Sequence, residues 1–154
     1  MKIQKELFLG KKAEDLSRLI DKQSTLLFKE LNIDVPVKSS SIILSLLECK
    51  QLSVIEIADN LNQSRQVIIQ KLPKLKKLKL LKQLEDINDK RRKIYILTAK
   101  GLDQAKIIIR IQNRVINIYQ KLYDEIESNL IQGLNDAIYS LESNDLLQRY
   151  KAQN

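Results

Sequence analysis

From Ala99 to Gln132 the chain has no proline, and its only glycine, Gly101, falls in the opening turn. Nothing in that stretch stops a helix. At a rise of about 1.5 Å per residue it would run for roughly 50 Å, longer than a domain of this size can cover. Thr98 is placed to cap its start, and Gly133 to end it in a left-handed C-cap. Its apolar positions (Leu102, Ala105, Ile108, Ile109, Val115, Ile118, Leu122, Ile126) exceed what one small domain can bury. Asn135 can then open a last helix through Ile138, Leu141, Leu146 and Leu147. At the other end of the chain, residues 5 to 31 carry Leu7, Leu16, Leu19, Ile20, Leu26, Leu27 and Leu31 at roughly helical spacing. Helices at both ends with apolar surface left over require a partner chain, and a second copy is the simplest. Leu7, Leu16, Leu122, Ile126, Leu134, Ile138, Leu141 and Leu146 are the candidate dimerisation residues.

What the chain lacks excludes most chemistry. Three glycines and two prolines in 154 residues leave few tight turns and favour a mainly helical fold. There is no histidine, which removes the commonest general base and the commonest metal ligand together. The single cysteine, Cys49, rules out an internal disulfide and a thiolate metal cluster. Within the apolar "IILSLLECKQ" it is expected to be a buried structural thiol. The carboxylates form no acid–base pair. An enzyme is not expected, and no catalytic residue, metal or cofactor is assigned. No apolar run reaches the roughly 18 residues of a membrane span. The N-terminal "MKIQKELFLGKKAEDL" lacks a signal-peptide core, so the expected location is the cytoplasm.

The net charge of +8 is concentrated in one window. Between Asn62 and Lys100 stand twelve lysines and arginines against three acids, an excess greater than that of the whole chain. A basic patch on a nearly neutral body is the footprint of a polyanion. Just before it, "SVIE" at 53–56 forms a capping box, and the short break "NQS" leads to a second cap at Ser64. Two helices joined by so short a turn make a helix-turn-helix. In the second helix, a turn of about 100° per residue stacks Ile68, Leu72 and Leu75 towards a core. Gln66, Gln70 and Lys77 then point outward, flanked by Ile69, Lys74 and Lys76, with Ser64 and Arg65 at the helix start. Glutamine can bond adenine through N6 and N7, and an exposed isoleucine can touch a thymine methyl. Pro73 deletes one helical hydrogen bond and should kink this helix or end it early.

"LPKLKKLKLLKQL" could also be a basic amphipathic helix on an anionic membrane. The segments after it argue otherwise. "KQLEDI" and "KIYIL" are short and β-prone, with Ile94 and Ile96 on one face and Lys93 and Tyr95 on the other. Two strands and the charged tip "NDKRR" directly after a helix-turn-helix make a winged helix. The tip would carry Lys90, Arg91 and Arg92 away from the body to a minor groove or to phosphates, with Asp89 holding Arg91 by a charge-assisted bond.

These residues carry a resemblance to the MarR family (multiple antibiotic resistance regulators) of winged-helix transcription factors. It spans nearly the whole chain in element order. It is sharpest in "LSVIEIADNLNQSRQVI" and in "DKRRKIYILTAKG", where Asp89 and Arg91 fall on the family's wing Asp-x-Arg pair. Leu97, Thr98 and Gly101 fall on its Leu-Thr-x-x-Gly start of the long helix. The resemblance implies a homodimer with interleaved terminal helices, the helix from Ser64 in the major groove and Arg91 in the minor groove of a pseudo-palindromic double-stranded DNA operator. In many members a small anionic or phenolic ligand between the dimerisation and DNA-binding parts releases the DNA, which makes a small-molecule effector an expected partner. Two departures are Lys79, where the family usually has glycine after the recognition helix, and Pro73 within it. Cys49 is not in the first helix, where peroxide-sensing members carry theirs, and the histidines of zinc-sensing members are absent.

The expected fold is thus mainly α (α+β): a winged helix-turn-helix over 35–98, with a helical dimerisation region from 1–34 and 99–154. The expected function is a sequence-specific DNA-binding regulator, a repressor in the first instance. The alternative is a winged-helix adaptor that keeps the dimer but binds another protein through the wing; twelve cations in one window argue against it.

Overall fold

The computed structural model describes residues 8–86, 89 and 92–153. Leu7, Lys90 and Arg91 lie outside the described residues. The chain divides into two compact units, the first running to Arg110 and the second from Ile111.

The first unit holds α1 (Leu9–Glu30), a short 3-10 turn at Val37–Ser39, α2 (Ser40–Cys49), β1 (Gln51–Ser53), α3 (Val54–Asn60) and α4 (Arg65–Lys77). β2 (Leu81–Glu85), β3 (Lys93–Leu97) and the start of α5 (Ala99–Glu125) complete it. Ile42, Ile43, Leu46, Ile57, Ile68, Leu75 and Leu80 are its fully buried centre, one or more from each of α2, α3 and α4. Each such side chain contributes about 1.5–3 kcal/mol relative to an exposed one. The helix-turn-helix periodicity is therefore the core periodicity.

The sheet is antiparallel in the order β1-β3-β2, with Leu52 and Gln83 flanking Tyr95 on either side and Leu81 opposite Leu97. β1 was not expected. At three residues it is too short to show alternation, and its last residue, Ser53, is also the N-cap of α3. The buried face of β3 is that of Tyr95 and Leu97, while Ile94 and Ile96 are only half-buried. Lys93 shares the Tyr95 face but sits at the exposed end of the hairpin, where its charge meets water.

Glycine scarcity does not mean few helix stops. Asn32, Asn62, Lys79 and Glu127 all adopt positive φ just past helix ends. In each, the amide after the left-handed residue reaches back into the helix, as Leu80 N–H does to Leu75 O at 3.0 Å. This is the Schellman arrangement, built here without glycine. Asparagine tolerates that conformation; lysine and glutamate carry a cost of about 1–2 kcal/mol. The expectation for Gly133 is overturned by the same pattern: α5 ends at Glu125, the left-handed residue is Glu127, and Gly133 lies inside α6 (Leu130–Ser143). Its 27 residues make α5 about 40 Å long rather than 50. Asn135 likewise starts no helix. Asn129 caps α6, its side chain accepting from Gln132 N–H at 3.0 Å, and Asp145 caps a separate α7 (Leu146–Lys151).

Pro73 does not end α4, which continues to Lys77. Proline leaves the Ile69 carbonyl without its helical donor, and both residues sit on the exposed side, where water can replace that donor. Gly101 is required for a different reason from chain reversal. A Cβ there would overlap the Leu80 carbonyl, so only glycine lets α5 start so close to the chain leaving α4. Thr98 ties the same corner. Its hydroxyl donates to Lys79 O at 2.6 Å and accepts from Gly101 N–H at 3.0 Å.

Candidate nucleic-acid interface

Ser64 begins the candidate surface by capping α4, its hydroxyl accepting from Val67 N–H at 3.3 Å. With Ile68, Leu72 and Leu75 buried, the helix must present its other side to water. Arg65, Gln66, Ile69, Gln70, Lys74 and Lys77 are all exposed there. Ile69 is 55% exposed and adds an apolar group to this polar face. Among the described residues, none forms a hydrogen bond or ion pair with the side chains of Arg65, Gln66, Gln70, Lys74 or Lys77. Two other lysines of the helix are engaged within the protein. Lys71 donates to Gln63 Oε1 at 3.1 Å, and Lys76 donates to Gln83 Oε1 at 3.2 Å, where the Tyr95 hydroxyl also donates at 3.4 Å. Gln83 thus holds α4 to the sheet.

The wing is the β2–β3 hairpin. Its base is closed by Asp86 N–H donating to Arg92 O at 3.0 Å, and Arg92 N–H donates to Asp89 O at 2.8 Å. Asp89 is exposed; its partnership with Arg91 lies outside the described residues. Contrary to what the sequence predicts for it, Arg92 does not extend away from the body. Its guanidinium turns back to Glu56 Oε1 at 2.5 Å and to Asp86 Oδ2 at 3.5 Å. Glu56 is the acid of the α3 capping box and also accepts from Ser53 N–H at 2.7 Å and the Ser53 hydroxyl at 2.8 Å. Arg92 first, and then these two Ser53 donors, hold the Glu56 carboxyl down to about 2. Glu56 was legible as a cap, but its contact with a residue so far along the chain has no local signal.

Cys49 is exposed, not buried. It is the last residue of α2, beyond the buried Ile42, Ile43 and Leu46, and Asn60 Nδ2 lies 3.7 Å from its sulfur. Gln104 is a buried polar residue that sequence reading missed. It accepts from Asp34 N–H at 2.6 Å and donates to Asn32 O at 3.2 Å, clasping the chain that follows α1. Nearby, Lys100 pairs with Asp34 at 2.6 Å, so this cation of the basic window is held within the protein.

The candidate dimerisation residues are spread over both units. Leu16 in the first is half-buried. In the second, Leu122 is half-buried, while Ile126, Leu134, Ile138, Leu141 and Leu146 are exposed, and neither α6 nor α7 has a buried residue. Among the described residues no helix is long and apolar enough to cross a membrane, and no group of three or more His, Cys, Asp or Glu could hold a metal ion.

No protein-family model matches the sequence, and no curated protein matches it. Solved structures do. The S. aureus MepR–DNA complex aligns with a TM-score of 0.70 at 18% identity, covering 88% of this chain and 99% of that one. The transcriptional regulator SlyA aligns with a TM-score of 0.65 at 20% identity, covering 86% and 90%. The reduced form of MarR from E. coli aligns with a TM-score of 0.60 at 16% identity, covering 88% and 96%. The chain has the winged helix-turn-helix fold of MarR.

Proposed function

We propose that this chain is a MarR-family regulator: a cytoplasmic homodimer that binds double-stranded DNA sequence-specifically and represses transcription. The observation that carries it is the outward face of α4. Two glutamines, an exposed isoleucine and two lysines lie there without partners among the described residues, on a helix anchored by Ile68, Leu72 and Leu75. A helix of this kind fits the major groove. Gln66 and Gln70 are the base readers, Ile69 meets a thymine methyl, and Ser64, Arg65, Lys74 and Lys77 hold phosphates. From the wing, Arg91 enters the minor groove, oriented by Asp89, and Lys90 lies along the backbone. The fold shared with a regulator solved on DNA supports this reading.

The exposed apolar residues of α6 and α7, with those of α1 and distal α5, are the surface a second copy would cover. Two copies then present two recognition helices to half-sites about one helical turn, ~34 Å, apart. Release by a small-molecule effector belongs to the same reading through the family likeness. The test is selection from a random duplex pool followed by gel shift at low and moderate salt. A twofold-symmetric sequence bound well above random DNA is expected. Equal, weak binding to every duplex would remove specific recognition, and no binding at all would favour the protein adaptor.

A further inference from the structure

We propose that Glu56 is a positioning residue for the wing: seated in the α3 capping box, its carboxylate holds the Arg92 guanidinium and fixes the base of the hairpin to the helix-turn-helix. Where this bears on DNA it rests on the reading above, and it goes beyond it by assigning Arg92 an internal task.

Three observations carry it. First, Glu56 is itself fixed before it meets Arg92. Ser53 N–H and the Ser53 hydroxyl both donate to Glu56 Oε2, which leaves Oε1 for the guanidinium at 2.5 Å. A carboxylate already held by its own helix cap loses little further freedom on pairing, unlike most surface partners. Second, Arg92 sits at the hinge of the hairpin. Its carbonyl accepts from Asp86 N–H at 3.0 Å and its own N–H donates to Asp89 O at 2.8 Å, so a fixed guanidinium fixes both sides of the turn. Third, Asp86 stands behind the same guanidinium at 3.5 Å with its side chain 11% exposed, which steers Arg92 inward rather than towards a phosphate. One acid thus starts α3, which packs on α4, and also aims the wing. The two DNA-reading elements share a fixed point.

The opposing signs of electrostatics and positioning make this testable. Glu56→Gln keeps a side chain that can complete the capping box but removes the charge that holds Arg92. Taking away a negative charge near DNA should by itself tighten binding. Positioning gives the opposite: full-length Glu56→Gln should bind a selected operator more weakly, on the order of tenfold, as for loss of one good groove contact. Arg92→Gln should lose about as much, and the double variant no more than either single one. Tighter binding by Glu56→Gln, or additive losses, would overturn the proposal.

Hydrogen exchange separates this from failure of the DNA reading. In the free protein, Glu56→Gln and Arg92→Gln should both speed exchange at the Asp86 and Arg92 amides, while α3 and α4 amides keep wild-type rates. Unchanged exchange at the hairpin base overturns the positioning role whether or not the wild type binds DNA. If exchange rises as expected and the wild type binds no duplex, the regulator reading fails and the positioning role stands.

Discussion

The winged-helix core of the first unit encloses its apolar residues, whereas α1 of that unit and the helices of the second leave theirs exposed. Ile42, Ile43, Ile57, Ile68 and Leu75 are wholly enclosed. In the second unit Ile131, Ile138 and Leu146 are 56%, 55% and 73% exposed, on helices whose caps are as well made as those of the first. Local signals therefore specify both units equally, and only tertiary burial tells them apart. Well-capped amphipathic helices whose apolar stripe stays exposed are marginal in water, so the second unit, like α1, needs a partner in a way the winged-helix core does not.

The most severe way to break this contrast is a charge on the uncovered face. Ile138→Glu should weaken the proposed dimer by about 2–4 kcal/mol, a value a twofold axis applies at two sites. Sedimentation at micromolar concentration should show dimer for the wild type and monomer for the variant; a variant that remains dimeric would show that Ile138 lies off the interface. The counterpart in the first unit is Gly101→Ala. Overlap with the Leu80 carbonyl should cost about 1–3 kcal/mol, read as a lower melting temperature that does not depend on protein concentration. Concentration dependence distinguishes the two kinds of loss.

Within the first unit, Gln66→Ala and Gln70→Ala should each reduce discrimination between operator and random DNA by about 1–3 kcal/mol. Lys74→Ala and Lys77→Ala should instead weaken both DNAs alike and flatten the salt dependence. If the lysine changes abolish specificity and the glutamine changes do nothing, the outward face is assigned wrongly. A smaller effect, of opposite sign, is expected from Lys79→Gly. Removing a left-handed lysine should stabilise the fold by roughly 1 kcal/mol in denaturant titration.

The smallest effect is a pH dependence. Glu56 is held at about 2, below its ordinary 4.5, by Arg92 and then Ser53. The contribution is fully present above the unfolded value and is lost as pH falls from about 4.5 through about 2. Glu56→Gln should remove that part of the acid dependence, lowering stability slightly at neutral pH and converging on the wild type as pH falls towards 2; the loss is small because the pair is well exposed.

What was legible follows the range of the interaction. Ser53, Ser64 and Thr98 each accept from an amide three residues on, and each caps the helix expected of it. The Ile68, Leu72 and Leu75 stripe was legible because burial repeats with the helix turn. Gly133 misled because a helix stop is a hydrogen-bond geometry that Asn, Lys and Glu also adopt here. Cys49 misled because an apolar neighbourhood in sequence says nothing about where a helix runs past its core. β1, the Gln104 clasp and the Glu56–Arg92 pair join distant segments, so no local pattern could disclose them.

In the proposed function the first unit reads DNA while the partner-seeking helices bring two copies to one site. Sedimentation of the full-length chain with a selected operator and with its isolated half-site tests both parts together. Two chains per operator are expected, with the half-site bound far more weakly at the same salt. One chain per duplex, with operator and half-site bound equally, would contradict the account.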